Sequence, residues 1–322
     1  MKLQINEVAS ELLNSAKRLG LSNTEAQTVT QQCLEAELLG KTTHGIGKYC
    51  YESQFFADRL GKIKTLMDTG PIVKIDGQKQ IGAVAAKESV EISTDRAKKF
   101  GIGIVAIHNI QRYGMLRTWS ELFISKKMFG VVMNSCPPAM SVYGINRKLF
   151  GTNPIAFSIP TKDSIVTVDM STSKVAMSLI WDAITKKESL PEKSFFDENG
   201  EYTTNPHEAK AVENFGDFKG ANIALLVEIL TGSLFGFKMG EQAKDMYDIG
   251  YLFIAIDPEK FSSYAEYLEN NTALINSLQK YGATLPGETS NKKKIMQTKS
   301  GFIHLDETVW NSLKNIGRNY AN

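Results

Sequence analysis

The sequence predicts an α+β fold in which a dinucleotide, if one binds, is not held by a Rossmann unit. Strand-like and helix-like stretches are mixed without the strict alternation that a parallel α/β sheet requires. Both chain ends read as helical, while the middle carries apolar strands. The glycine runs that mimic a dinucleotide fingerprint also stand in the wrong setting. Gly101-Ile102-Gly103-Ile104-Val105-Ala106 fits GxGxxA, but its glycines open an apolar strand instead of turning from a strand into a helix. Gly45-Ile46-Gly47 has Cys50 where a third glycine would stand, and no GxxxxGK[ST] run occurs. Residues 1–72 together with 257–322 are therefore expected to form a helical domain, packed on a sheet-containing domain of residues 73–256.

The elements follow from local signals. Ser22-Asn23-Thr24-Glu25 has capping-box form and starts a helix that runs to Gly40. A second helix is expected from Ile46 to Leu60, ending at Gly61. Ile72-Val73-Lys74-Ile75 alternates like a strand, with Gly77 as the turn signal. A helix over Lys87–Lys99 leads to a strand over Ile102–Ile107. A helix over Met115–Lys127 leads to Val131-Val132-Met133. Further strands are expected at Ile155–Ile159 and Ile165–Val168. A long apolar helix starts near Lys219-Gly220 and continues through Leu230. After the strand Tyr251–Ile256, Asp257-Pro258 signals a helix start, and that helix is expected to reach Lys280. Asn291–Lys294 reads as a basic loop before an end piece with Trp310 and Leu313.

Composition narrows the function. The 322 residues are 42% hydrophobic and 22% charged, enough for a sizeable core and about two domains. A net charge of +2 gives no reason to expect nucleic acid or an anionic membrane as partner. The 3 cysteines are far apart and the 4 histidines scattered, which argues against a disulfide framework and against a metal site. The first residues lack the apolar core of a signal peptide. The apolar stretch Ile223–Phe237 is broken by Glu228 and falls short of the roughly 20 residues of a membrane span. The cytoplasm is the expected location.

Two segments carry chemistry. In Gly40-Lys41-Thr42-Thr43-His44-Gly45, the histidine lies in a short loop between two helices. An imidazole so placed can protonate an alkoxide near neutral pH, or it can be a structural turn residue. In Gly151-Thr152-Asn153-Pro154-Ile155-Ala156-Phe157 and Asp169-Met170-Ser171-Thr172-Ser173, small hydroxyl residues after a strand end can bond phosphate or ribose, or merely cap a turn.

Taken together, these segments resemble the malate/L-lactate dehydrogenase family. It includes ureidoglycolate and sulfolactate dehydrogenases, diketogulonate reductases and cyclic-imine (piperideine) carboxylate reductases. The resemblance spans nearly the whole chain. It rests on the Gly40–Gly45 and Gly151–Phe157 runs, Asp169–Ser173, Lys219-Gly220 before the apolar helix, and Pro286-Gly287-Glu288. It implies a non-Rossmann α+β fold, NAD or NADP as cofactor, a homodimer, and a small anionic substrate. It further implies His44 as proton donor or acceptor, and Ser135, Asp169, Ser171, Thr172, Ser173, Lys219 and Gly220 near the cofactor. The amides at the start of the helix after Lys219 would add an anion site.

The sequence departs from the family pattern around the expected substrate. Lys48 stands where arginine is common, keeping the charge but losing the bidentate fork. Arg112 stands where a histidine is common, which leaves His44 as the acid/base candidate. Thr43, Lys48 and Arg112 are the expected substrate contacts, and Asp169 is expected to orient or charge-stabilise His44. No carboxylate adjoins Arg112 in sequence, which suggests that the substrate supplies one: a 2-oxo acid with a second anionic group. The alternatives are that Arg112 turns outward or pairs with Asp169 or Glu288. The expected activity is hydride transfer between the nicotinamide and C2 of a 2-oxo or 2-hydroxy acid. A cyclic imine carboxylate is the alternative electrophile, disfavoured beside Arg112 by like charge. A non-catalytic binding protein that retains the fold is the alternative of another class.

Overall fold

The computed structural model describes residues 1–318. Its centre is a seven-stranded sheet in the order Lys64–Asp68, Ile72–Gln80, Ile102–Ile110, Gly250–Ile256, Phe129–Asn134, Ile155–Pro160, Ile165–Met170. Ile72–Gln80 and Ile102–Ile110 pair in parallel. The helix Gly82–Phe100 makes that crossover. The other pairs are antiparallel. Gly250–Ile256 lies in the middle, with Phe253 opposite Val105 on one side and Val132 on the other. Its run of buried residues lacks alternation because both faces of the sheet are covered.

On one face lie the helices Gly82–Phe100 and Leu116–Ser125, backed by the chain ends. Val90, Phe123, Ile107 and Phe253 share one core with Leu12, Val29, Ile46, Trp310 and Leu313. Each such side chain, fully buried, contributes about 1.5–3 kcal/mol. On the other face the helix Phe218–Thr231 brings Val227 against Ala106, Met133 and Leu252. This is the apolar stretch broken by Glu228, and it packs on the sheet. The chain ends interleave: Lys2–Gln4 pairs antiparallel with Phe302–His304, and Ile5–Arg18 packs on Glu307–Asn315. The helix Tyr264–Lys280 instead sits at the far sheet edge, with Ile275 against Val166 and Ile159. A small four-stranded sheet of Met140–Val142, Ile145–Phe150, Phe195–Phe196 and Ala211–Val212 completes the α+β structure.

Several elements differ from the sequence reading. The α-helix from Ile46 stops at Glu52 and tightens into a 3-10 turn over Ser53–Asp58. The crossover helix starts at Gly82, one turn earlier than its charged residues suggest. Asp257 caps only the short turn Pro258–Lys260, and the long helix starts afresh with Ser263 accepting from Glu266 N at 3.1 Å. Asn291–Lys294 is no loop but part of the helix Glu288–Ser300, whose polar composition hides its periodicity. The fingerprint-like glycines have steric roles. Gly101 ends a helix at φ 88°, and a Cβ on Gly103 would lie 1.9 Å from Ser93 O, so the glycine lets helix and strand touch.

Candidate active site

The site begins with a backbone problem. Between the helices Asn23–Leu38 and Ile46–Glu52 the chain reverses through a single 3-10 turn, Thr42–His44. The Ser22 capping box forms as predicted, with Glu25 N donating to Ser22 Oγ at 3.3 Å and Ser22 N to Glu25 Oε2 at 2.8 Å. The turn is held from the first helix: Gln32 Nε2 donates to His44 O at 3.3 Å, and Glu37 Oε1 accepts from Ile46 N at 2.7 Å. Burial pushes the Glu37 carboxyl above its ordinary range, against the opposing pull of Ile46 N–H and Lys293.

His44 is half-buried, and its Nδ1 is buried with no hydrogen-bond partner among the described residues. Desolvation, then the charges of Lys48 and Lys41, hold its pKa down at about 3, so the ring is neutral near pH 7. Thr43 is exposed on the same turn. One helical turn further, Lys48 lies 3.7 Å from Glu52, and Arg112 Nη1 reaches the same Oε1 at 4.0 Å. Arg112 therefore has a carboxylate neighbour that is none of Glu121, Asp169 or Glu288. Its side chain is 45% exposed, so it turns partly outward as well. Glu121 pairs with Arg117 at 2.7 Å, and Glu288 with Lys292 at 2.5 Å. A small cavity of about 20 Å³, room for one water, lies among His44, Lys48, Glu52 and Arg112. A larger groove of about 480 Å³ runs past Thr42 along Lys292, Lys293 and His304.

The second half of the site stands at the end of the strand Ile165–Met170. Asp169 Oδ2 accepts from Arg117 N at 2.9 Å. Burial raises its pKa, opposed by Arg117 N–H and by Lys41, although the residue remains open to solvent, as a cleft-lining group does. Asp169 and His44 are not joined by a hydrogen bond. The charge of Lys41 acts on both groups, lowering the pKa of each. Gly287, at φ 77°, comes close to Thr167 O and Arg117, which seats the helix Glu288–Ser300 beside the strand.

The hydroxyl residues are largely engaged by the protein itself. Thr172 Oγ1 donates to Thr152 O at 3.0 Å, Ser173 Oγ to Val175 O at 2.8 Å, and Ser171 lies 2.9 Å from Ser173. Ser135 is fully buried, and its hydroxyl accepts from Gly250 N at 3.1 Å. Lys219 is exposed and has no ion pair among the described residues. It stands on the first turn of the helix Phe218–Thr231. A Cβ on Gly220 would lie 2.7 Å from Thr172 O, so the missing side chain lets this helix start close on the Asp169–Ser173 segment. The amides of Lys219 and Gly220 are taken by Gly216 O and Phe215 O. They are therefore not free for an anion, which corrects the expected amide site and leaves the Lys219 side chain as the charge available there. Lys219, without an ion pair among the described residues, the exposed Asp169 carboxylate and the partly exposed Ser171 are groups of the kind that meet the phosphates and hydroxyls of a nicotinamide dinucleotide.

Sequence reasoning missed the support beneath this segment. Asn153, at φ 32°, accepts from Cys136 N at 3.0 Å and donates to Ala224 O at 3.1 Å and Glu228 Oε1 at 2.8 Å. Glu228 also accepts from Gly240 N at 2.9 Å. The Gly151–Phe157 run thus anchors the apolar helix to the sheet. The signal was present in the lone carboxylate of an apolar helix, which must find donors when buried. Glu52 gave no comparable signal.

The profile of the malate/L-lactate dehydrogenase family matches residues 3–314. The chain is 32% identical over 332 residues to the malate/(S)-sulfolactate dehydrogenase of Methanothermus fervidus, covering 98% of this chain and 97% of that one. It is 28% identical to the (2R)-3-sulfolactate dehydrogenase (NADP(+)) of Chromohalobacter salexigens, with 97% of each chain covered. The solved sulfolactate dehydrogenase of Methanocaldococcus jannaschii superposes with a TM-score of 0.89 at 28% identity, over 99% of this chain and 97% of that one. The chain belongs to the malate/L-lactate dehydrogenase family and has its non-Rossmann α+β fold.

Proposed function

We propose that this nicotinamide-dependent dehydrogenase interconverts a 2-oxo acid and the corresponding 2-hydroxy acid, and that the substrate carries a second anionic group. The observation that carries the reading is the cluster at the histidine turn: a neutral imidazole whose Nδ1 has no partner among the described residues, around one small cavity with Lys48 and Arg112. A bound NAD or NADP supplies or takes the hydride. His44 gives a proton to the C2 oxygen in reduction and takes it in oxidation. Thr43, Lys48 and Arg112 hold the anionic ends of the substrate. As those anions arrive, they offset the lysine charges that depress the His44 pKa, so the ring gains proton affinity when the proton is needed.

Asp169, Ser171, Thr172, Ser173, Lys219 and Gly220 line the cofactor side in this reading, with Ser135 supporting it through Gly250. Because Asp169 makes no bond to His44 in the free protein, its part is electrostatic, acting through Lys41. Sulfolactate and malate, named for the relatives, are acids of the proposed kind. The same proposal includes a homodimer, a cytoplasmic location, and a substrate-side division of residues 1–72 and 257–322 facing a cofactor-binding 73–256. The test is NADH and NADPH oxidation by the purified protein over 2-oxo acids and cyclic imino acids. Turnover of dianionic 2-oxo acids is expected. No turnover with any of them, or faster turnover of cyclic imino acids, would overturn the proposal. Quenching of tryptophan fluorescence by cofactor without any turnover would favour a binding protein.

A further inference from the structure

Among the described residues, Glu52 is the carboxylate that Lys48 and Arg112 share. The side chain is only 13% exposed, and its Oε1 is buried without a hydrogen-bond partner among the described residues. Lys48 and Arg112 stand at 3.7 and 4.0 Å, close enough for strong attraction but outside hydrogen-bond range. The water-sized cavity opens among these three groups and His44. A buried ion pair built for stability would close to contact and satisfy its lone pairs. This one is held loosely: a fixed, buried carboxylate faces a cation that is 45% exposed and can reach out to a ligand.

We propose, building on the oxo-acid reading above, that Glu52 is a specificity-determining residue: an internal counter-anion that occupies Lys48 and Arg112 between turnovers and competes with the second anionic group of the substrate. The charge count supports it. Two cations face one carboxylate, leaving a net charge of one for the ligand while Glu52 is ionised and of two when it is protonated. The other groups that face Glu52 do not change this count near neutral pH. Cys33, from the helix Asn23–Leu38, has its thiol pKa raised by burial, and Tyr251, from the central strand, is likewise held neutral. His44 is neutral, and Glu37, which accepts from Ile46 N–H, is not among the charges that act on Glu52. Burial raises the Glu52 carboxyl above its ordinary range, against the pull of Lys48 and Arg112. Glu52 is a positioning residue and takes no part in proton transfer to substrate.

The experiment compares wild type with Glu52→Gln, which keeps the shape and removes the charge. The readout is the ratio of kcat/KM for 3-sulfopyruvate to that for pyruvate, since the sulfonate stays ionised at every working pH. The ratio is expected to rise about tenfold in Glu52→Gln, the scale of one largely solvent-screened charge a few ångströms away. In wild type it is expected to fall as pH rises through the ionisation of Glu52, and to be flat in the variant. An unchanged or lowered ratio would overturn the role of Glu52. Calorimetric titration with sulfoacetate and acetate gives the same comparison without turnover. Inactivity toward all oxo acids would thus remove the proposed reaction while the binding ratio still decides the counter-anion. Should Glu52→Gln not fold, Glu52→Ala is titrated with sulfoacetate and acetate instead: a raised affinity ratio relative to wild type supports the proposal, and an unchanged or lowered one sinks it.

Discussion

Glu37 Oε1 accepts from the backbone N–H of Ile46 at 2.7 Å, across the turn that carries His44. A Cβ on Gly45 would lie 2.1 Å from that same oxygen. The glycine is thus the condition for the clamp. Gly45→Ala is expected to force Glu37 off Ile46 and to destabilise the fold by about 1–3 kcal/mol, the cost of overpacking plus a buried carboxylate without its donor. Thermal denaturation reads this directly. A melting temperature equal to that of wild type would mean that Glu37 swings aside freely.

The depressed pKa of His44 sets the pH dependence of the proposed reaction. Reduction needs the protonated ring, and the free protein holds that proton only below about pH 3. For reduction, kcat/KM is therefore expected to fall across the neutral range with rising pH, roughly tenfold per pH unit. For oxidation, which needs the neutral ring, it should be level over the same range. His44→Ala should lower turnover in both directions by about 10²–10⁴. A wild-type reduction profile that is flat from pH 5 to about 7, around the ordinary histidine pKa, would remove His44 from the proton step.

The same shift affects stability. The folded-state pKa of His44 is below the unfolded value of 6.5, so at pH values between 6.5 and about 3 the unfolded chain binds a proton that the folded one does not. Stability is lost as pH falls through that window. His44→Asn should lose less stability between pH 7 and about 4 than wild type does, as measured by urea midpoints. Equal losses would show that the imidazole finds a proton partner in the folded state.

Lys219 is exposed, unpaired among the described residues, and placed where the first turn of its helix meets Thr172. Lys219→Ala is expected to raise the cofactor Kd about tenfold while leaving kcat at saturation close to wild type. The difference should shrink at high salt, because an exposed charge is screened. Titration of tryptophan fluorescence at two ionic strengths measures it, and an unaltered Kd at low salt would assign Lys219 to solvent alone.

Asn153 combines a left-handed backbone with three hydrogen bonds, one of them to the buried Glu228. Asn153→Ala would leave Cys136 N–H without its acceptor and Glu228 with one donor fewer. A loss of about 2–4 kcal/mol is expected, large for a loop position. Denaturant unfolding checks this. A loss below about 1 kcal/mol would show that water replaces the side chain.

Short-range grammar made much of this molecule legible in its sequence. The capping box at Ser22, the stop at Gly40, the strands Ile102–Ile110 and Gly250–Ile256, and the placing of His44 in a turn follow from patterns a few residues long. So did the rejection of the glycine fingerprint, since a strand that begins at its glycines cannot offer a helix N-terminus. The helix Glu288–Ser300 was illegible for the converse reason. With no buried residue it has no apolar stripe to read, and polar tertiary contacts give it a place: Gln297 Nε2 donates to Glu37 O and Leu38 O, Lys294 pairs with Glu35, and the turn before it lies against Arg117.

By itself, the sequence determined the α+β class, the family and the identities of the groups available for chemistry, because local hydrogen bonding and motif spacing are written in adjacent residues. Tertiary structure alone decided which charges meet. Arg112 and Glu52 are 60 positions apart and come together because the helix Ile46–Glu52 and the segment after the strand Ile102–Ile110 pack against one core. Asn153 and Glu228 meet across 75 positions because a helix lies on the sheet face above that turn. The Coulomb energy of such a pair depends on a separation of a few ångströms and on the loss of water around it. Both are fixed by how the layers dock, and neither is written in the spacing of the residues along the chain.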